Sequence, residues 1–170
     1  MPVIVLIIAL KFVLPVLYLR FPFAAGWANL LLDSADGDIL VRAGLADPTY
    51  QLIDKLADYV AYVFMFLWGR KREIRRDLAA TLLLRTVGQV LFFATRDERV
   101  FFLFPNLIEP LFLVYVTIGR LAGWDRVHDI YRRRVVPIWA FILAYKLQDE
   151  WFTHIADVDR SDLLMRILGR

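Results

Sequence analysis

The stretch LLDSADGDILVRAGLADPTYQLIDKLADY, residues 31–59, places six aspartates beside some of the most apolar sequence of the chain. The apolar runs on either side are continuous rather than alternating, which favours helices over strands. Within the stretch, Asp33 and Asp36 are three residues apart, and Asp54 and Asp58 are four apart, so each pair shares one face of a helix. The segment therefore predicts the end of one helix, a turn, and the start of a second helix.

The composition indicates a membrane protein. Of the 170 residues, 59% are hydrophobic, and the mean hydropathy is +0.53, whereas roughly half of the residues in soluble domains are apolar. Helices satisfy their own backbone hydrogen bonds in lipid, so we expect an all-α protein of one domain. The absence of cysteine excludes disulfides and thiolate chemistry. The small net charge of +3, with clustered basic residues, indicates membrane lipids rather than nucleic acid as partners.

The apolar runs predict the number of membrane spans. A transmembrane helix needs about 20 mainly apolar residues. Six segments approach that length, and charged or proline-containing breaks separate them. They are residues 3–19, 21–40, 50–68, 78–95, 100–121 and 136–155. We therefore predict a multi-pass bundle of about six transmembrane helices over residues 1–170, with a short C-terminal tail at residues 157–170.

The paired aspartates predict a cation site. Four carboxylates at Asp33, Asp36, Asp54 and Asp58 would repel one another strongly unless a cation lay among them. Hard oxygen ligands of this kind suit Mg²⁺, Mn²⁺ or Ca²⁺ rather than zinc. Aspartates also cap helices and line polar turns, so a purely structural role is the alternative for each of them.

Two further charged residues lie near the middle of predicted spans. Arg85 falls in the fourth span and Glu109 in the fifth, at a similar depth from the aspartates. A charge at that depth costs about 2.5 to 3.5 kcal/mol on insertion scales, so we predict that the two form a buried structural pair close to Gln89.

The aspartate spacing resembles the signature of the CDP-alcohol phosphatidyltransferase superfamily, D-x2-D-G-x2-A-R-x8-G-x3-D-x3-D. Aligned from Asp33, the pattern finds Asp36, Gly37, Asp54 and Asp58 in register without a gap. The resemblance implies six transmembrane helices and a divalent cofactor, Mg²⁺ or Mn²⁺, that binds the pyrophosphate of a CDP-linked donor.

The resemblance also implies residue roles. The metal ligands would be Asp33, Asp36, Asp54 and Asp58, and Asp58 would also be the catalytic base that deprotonates the acceptor alcohol. We also expect Gly37, Arg42 and Lys55 to bind the substrate.

The chain departs from this signature at the positions between the aspartates. The alanine and arginine of the signature fall on Leu40 and Val41, and its second glycine falls on Tyr50. Arg42 comes one place late, which turns a helical side chain by about 100°. Glycine lets a ligand approach the backbone closely, and a tyrosine obstructs that approach.

Three hypotheses follow. The first is a divergent, metal-dependent membrane transferase that acts on a lipid-phosphate or phosphoalcohol substrate. The second is a non-catalytic membrane subunit or scaffold that keeps the fold and binds a partner membrane protein or a second copy of itself. The third is an ion or proton pathway along charged groups of the spans, since intramembrane charges often mark one. Its residues would be Asp54, Asp58, Arg85, Glu109 and Lys146.

Overall fold

The computed structural model describes residues 2–154 and contains only helices over that range. The all-α class is therefore confirmed for the part of the chain that is described. The helices are α1 (Pro2–Leu17), α2 (Pro22–Arg42), α3 (Asp47–Gly69), α4 (Arg75–Thr95), α5 (Val100–Leu103), α6 (Ile108–Ala122), α7 (Val127–Arg133) and α8 (Val135–His154).

Four predicted spans correspond to α1 to α4, and the sixth corresponds to α8, but the fifth is not one continuous helix. The short α5 ends at Leu103 and α6 begins only at Ile108. Pro105 lies in the break, where it lacks a backbone amide hydrogen and disfavours helix in the residue before it. The chain after Gly123 also forms α7, which we did not predict. The predicted tail, residues 157–170, lies outside the described residues.

Among the described helices, α4 is the one long and apolar enough, by length and composition, to cross a membrane. The apolar α1 has 16 residues, and the aspartates of the opening stretch lie inside α2 and α3. The predicted six-span bundle is therefore not confirmed, although the helical bundle itself is.

Helix α6 is the centre of the bundle. It packs against α2, α3, α4, α7 and α8. Side chains on several of its faces are fully buried, among them Ile108, Leu111, Phe112 and Val116. A helix that is apolar on most of its surface is stable only when other helices surround it, so α6 organises the bundle.

Aromatic side chains pack together along α6 and just after its last turn. The ring of Trp68 meets those of Phe112 and Trp124 edge-on, with centroids 5.2 and 5.9 Å apart. The guanidinium carbon of Arg72 lies 4.3 Å from the centroid of Trp68. Gly119 is required here, because a Cβ atom at that position would lie 2.4 Å from the ring of Trp124. Polar groups that are described below are gathered at the opposite end of α6.

Candidate functional site

Two helices bring three of the predicted aspartates together. Asp33 and Asp36 come from the second half of α2, and Asp54 comes from the second turn of α3. One carboxylate oxygen from each lies within 4.8 Å of the others. Asp36 is fully buried and Asp54 is 6% exposed, whereas Asp33 is partly accessible. Three carboxylates this close together form a set of donors that could hold a metal ion.

Lys11 of α1 lies in the middle of this set, a position that was not predicted. Its Nζ atom donates to Asp33 Oδ1 at 3.0 Å and to Asp54 Oδ1 at 2.5 Å, and it also donates to Asp36 Oδ2. The lysine is 4% exposed. An ammonium group has three hydrogens, and each is directed to a different carboxylate. The only sequence signal for this role is that Lys11 interrupts an otherwise apolar α1.

Two further oxygens of the cluster have partners on α3. Lys55 Nζ donates to Asp54 Oδ2 at 2.9 Å, and the Tyr50 hydroxyl donates to Asp36 Oδ1 at 3.3 Å. Tyr50 also covers Gly37, since a Cβ atom there would lie 2.9 Å from the tyrosine hydroxyl. The residue that replaces the second glycine of the signature therefore packs directly on the first one.

The residues do not fit a metal ion and Lys11 at the same time. The carboxylate oxygens suit a hard divalent cation, but the ammonium of Lys11 already lies between them. Arg42, a predicted substrate-binding residue, is exposed in the last turn of α2. Asp58, the predicted base, is not part of the three-aspartate set, and it lines an adjacent cavity instead.

This cavity has a volume of about 670 Å³ and lies between α2 and α8. Over the described residues these two helices do not pack against each other, so no contact between them closes the cavity. Its floor is α6, and its inner wall is built from α3 and α4.

The two ends of the cavity differ in chemistry. The end near the aspartate cluster is lined by charged and polar side chains, namely Asp33, Lys55, Asp58, Tyr62, Arg85, Asn106, Glu109, Lys146 and Asp149. The other end is mainly apolar, lined by Trp27, Leu30, Leu113, Val114, Thr117, Ile118 and Phe141. Among the residues of α2, α6 and α8 that line the cavity, the charged ones lie toward the same end, so the cavity is amphipathic along the helix axes.

The break between α5 and α6 supplies several contacts at the polar end. Arg85 Nη1 donates to the carbonyl oxygen of Phe104 at 3.0 Å, and its guanidinium carbon lies 4.0 Å from the ring centroid of Phe101. Asn106 Nδ2 donates to the Tyr62 hydroxyl at 2.9 Å and to Glu109 Oε2 at 3.1 Å. Neither Tyr62 nor Asn106 was expected at the site, and no spacing in the sequence pointed to them.

Arg85 and Glu109, which were predicted to form a pair, both line this cavity. The contacts described above join Arg85 to the Phe104 carbonyl and Glu109 to Asn106. Gln89, expected beside them, instead donates to the Lys55 carbonyl at 2.7 Å and ties α4 to α3. Lys146 forms an ion pair with Asp149 on α8. A direct pairing of Arg85 with Glu109 stays a prediction.

The chain has no match among the models of known protein families, among curated proteins or among solved structures.

Proposed function

We propose that this chain is a membrane-embedded helical bundle that binds an amphiphile with a phosphate-bearing headgroup. The observation that carries the proposal is the cavity, which is polar at one end, apolar at the other and not closed by packing between α2 and α8 over the described residues. A phospholipid or a lipid-linked phosphoalcohol has the same division along its length.

Outward-facing apolar side chains support a membrane location for the bundle. Val5 on α1 is 66% exposed, Leu83 and Val90 on α4 are 67% and 62% exposed, and Val136 on α8 is 76% exposed. Large apolar side chains on several outer helices would be costly in water, whereas hydrocarbon solvates them. A lateral opening would then face the lipid phase, from which an amphiphile could enter.

The charged groups at the polar end match a headgroup that carries both a phosphate and a hydroxyl. Lys55, Arg85 and Lys146 can donate hydrogen bonds to phosphate oxygens, and charge-assisted bonds of this type are the strong ones. Asp58 and Glu109 can accept hydrogen bonds from an alcohol. A site with both signs of charge therefore favours a phosphoalcohol over a simple fatty acid.

The predicted cofactor, Mg²⁺ or Mn²⁺, is not needed for this binding. Lys55, Arg85 and Lys146 supply positive charge from the protein itself, and Lys11 pairs with all three carboxylates of the aspartate cluster. We therefore assign no step to a metal. The predicted homodimer or partner membrane protein stays a prediction.

Transfer of the headgroup is the second candidate function, and the position of Asp58 favours it. Asp58 lines the cavity one turn after Asp54, so its carboxylate faces the space that a headgroup would occupy. In such a reaction the donor is a CDP-linked alcohol, and the hydroxyl oxygen of the acceptor attacks its β-phosphorus, which is the one bonded to the donor alcohol. The phosphoanhydride bond between the two phosphates breaks, CMP leaves, and Asp58 takes the hydroxyl proton.

Lipid titration tests the binding proposal. The purified full chain in detergent is titrated with short-chain phosphatidylglycerol and, in parallel, with the matching diacylglycerol, and bound lipid is measured by native mass spectrometry. We expect saturable binding of the phospholipid only. Arg85→Gln should weaken it about 10- to 100-fold, because a hydrogen bond to a charged group contributes about 1.5 to 3 kcal/mol.

The matched control is Arg76→Gln, which removes an exposed arginine from the same helix and should leave the affinity unchanged. Equal binding of diacylglycerol, or affinity unaffected by Arg85→Gln, would refute the proposal. Release of CMP from a CDP-linked alcohol, lost in Asp58→Asn, would establish the transferase instead of simple binding.

A further inference from the structure

We infer that Lys11 is the resident cation of the aspartate cluster and occupies the position of a divalent metal there, so that the cluster binds no metal ion and does not need one for stability. The inference concerns the cluster alone and does not depend on whether the neighbouring cavity binds a lipid.

The first argument is geometric. A magnesium or calcium ion would bind carboxylate oxygens at about 2.0 to 2.6 Å. Lys11 Nζ lies 2.5 Å from Asp54 Oδ1 and 3.0 Å from Asp33 Oδ1, and it also bonds Asp36. The three oxygens lie within 4.8 Å of one another, so the space between them holds one cation and not two.

The second argument is the charge balance. Lys11 and Lys55 together bring two positive charges to the carboxylates of Asp33, Asp36 and Asp54. The Tyr50 hydroxyl donates a further hydrogen bond to the buried Asp36. Most of the repulsion that would otherwise draw in a divalent cation is therefore already relieved by the protein.

The third argument is that Lys11 cannot easily leave. The residues one turn before and after it, Ile7 and Pro15, are buried and apolar. Helix α1 packs against both α2 and α3, the helices that carry the aspartates. Moving the ammonium out of the cluster would place an unpaired charge against apolar side chains, and burying an unpaired charge is strongly unfavourable.

The lysine therefore also links the first three helices. A metal ion could join α2 to α3 through their carboxylates, but it would leave α1 without a polar contact to either of them at this level. We expect α1 to be held in register by Lys11, as single buried polar groups fix the register of other helical assemblies.

Metal titration of the full chain in detergent tests this inference. The probes are Mn²⁺, whose binding is followed by electron paramagnetic resonance, and Mg²⁺, followed by the shift in melting temperature. For the wild type we expect no stoichiometric Mn²⁺ binding and the same melting temperature in EDTA and in Mg²⁺. One bound Mn²⁺ per chain, or a melting temperature that rises with Mg²⁺, would overturn the inference without the need for any variant.

Two variants extend the test. Lys11→Met should lower the melting temperature by on the order of 10 °C, since it leaves buried carboxylates without their partner. Mn²⁺ should then bind and restore part of that loss, because the metal takes the vacated position. The double variant Lys11→Met with Asp54→Asn removes one charge of each sign and should be more stable than Lys11→Met alone.

The control is Lys71→Met, which removes an exposed lysine from the loop after α3. It should change neither the melting temperature nor the response to metal. If Lys11→Met melted like the wild type in EDTA, the cluster would not depend on the lysine and the inference would be wrong. Lipid binding is measured separately, so failure of the proposed function would leave these outcomes unaffected.

Discussion

Replacing Gly88 by alanine should destabilise the bundle and disturb the polar end of the cavity. Gly88 lies on α4, where the chain between α5 and α6 passes close to the helix. A Cβ atom at Gly88 would lie 2.7 Å from Cβ of Phe104 and 3.4 Å from its carbonyl oxygen. Because carbon atoms in contact are normally about 3.5 to 4.0 Å apart, Phe104 must move by about 1 Å.

Three energies decide the outcome. Overpacking of this kind costs about 1 to 3 kcal/mol. Movement of Phe104 also weakens the bond that its carbonyl accepts from Arg85, at 3.0 Å, and a hydrogen bond to a charged group contributes about 1.5 to 3 kcal/mol. Alanine is better than glycine in a helix by about 1 kcal/mol, which acts in the opposite direction. The net loss in the free energy of unfolding is about 1.5 to 5 kcal/mol.

The assay is thermal unfolding in detergent. For a chain of this size, about 1 kcal/mol corresponds to 2 to 4 °C, so the melting temperature of Gly88→Ala should fall by about 3 to 20 °C. Ala80→Gly, at an exposed position of the same helix, measures the difference in helix propensity between alanine and glycine alone. It should lower the free energy of unfolding by about 1 kcal/mol. A Gly88→Ala variant more stable than the wild type would show that propensity outweighs the contact, and the reasoning would be refuted.

Two other substitutions probe contacts that the structure defines. Tyr62→Phe removes the hydroxyl that accepts from Asn106 at 2.9 Å in a buried position, and because the amide keeps its bond to Glu109, loss of this one bond should cost about 0.5 to 1.5 kcal/mol in chemical denaturation; unchanged stability would contradict the role of this bond. Gly119→Ala would place a methyl group 2.4 Å from the ring of Trp124, so it should cost about 1 to 3 kcal/mol and shift tryptophan fluorescence to the red. Unaltered fluorescence would show that the ring does not lie against α6.

The helices could be predicted because their causes are local. Continuous apolar runs separated by prolines and charges gave most of the helix positions, and residue spacing placed Asp33 beside Asp36 on α2. The predicted fifth span, residues 100–121, runs through Pro105 because the residues on both sides of it are mainly apolar. The break between α5 and α6 shows that the missing amide hydrogen was the stronger influence.

The contents of the aspartate cluster could not be predicted, because they depend on which helices meet. Lys11 is 22 residues before Asp33 and 43 before Asp54, and periodicity within α1 does not say which helix faces it. Asp54 and Asp58 share a helical face but differ in direction by about 40°. That difference is enough for Asp54 to join the cluster while Asp58 lines the cavity.

One acceptor at the polar end of the cavity belongs to the main chain and not to a side chain. Because Arg85 bonds the carbonyl oxygen of Phe104, no exchange of the phenylalanine side chain can delete that acceptor. The carbonyl oxygen can accept this bond because Phe104 lies in the break between α5 and α6. Substitutions at Pro105 that restored a continuous helix would therefore remove the contact. This part of the site can thus tolerate mutation of the residue that provides the oxygen, while it is sensitive to mutation of the residue that follows.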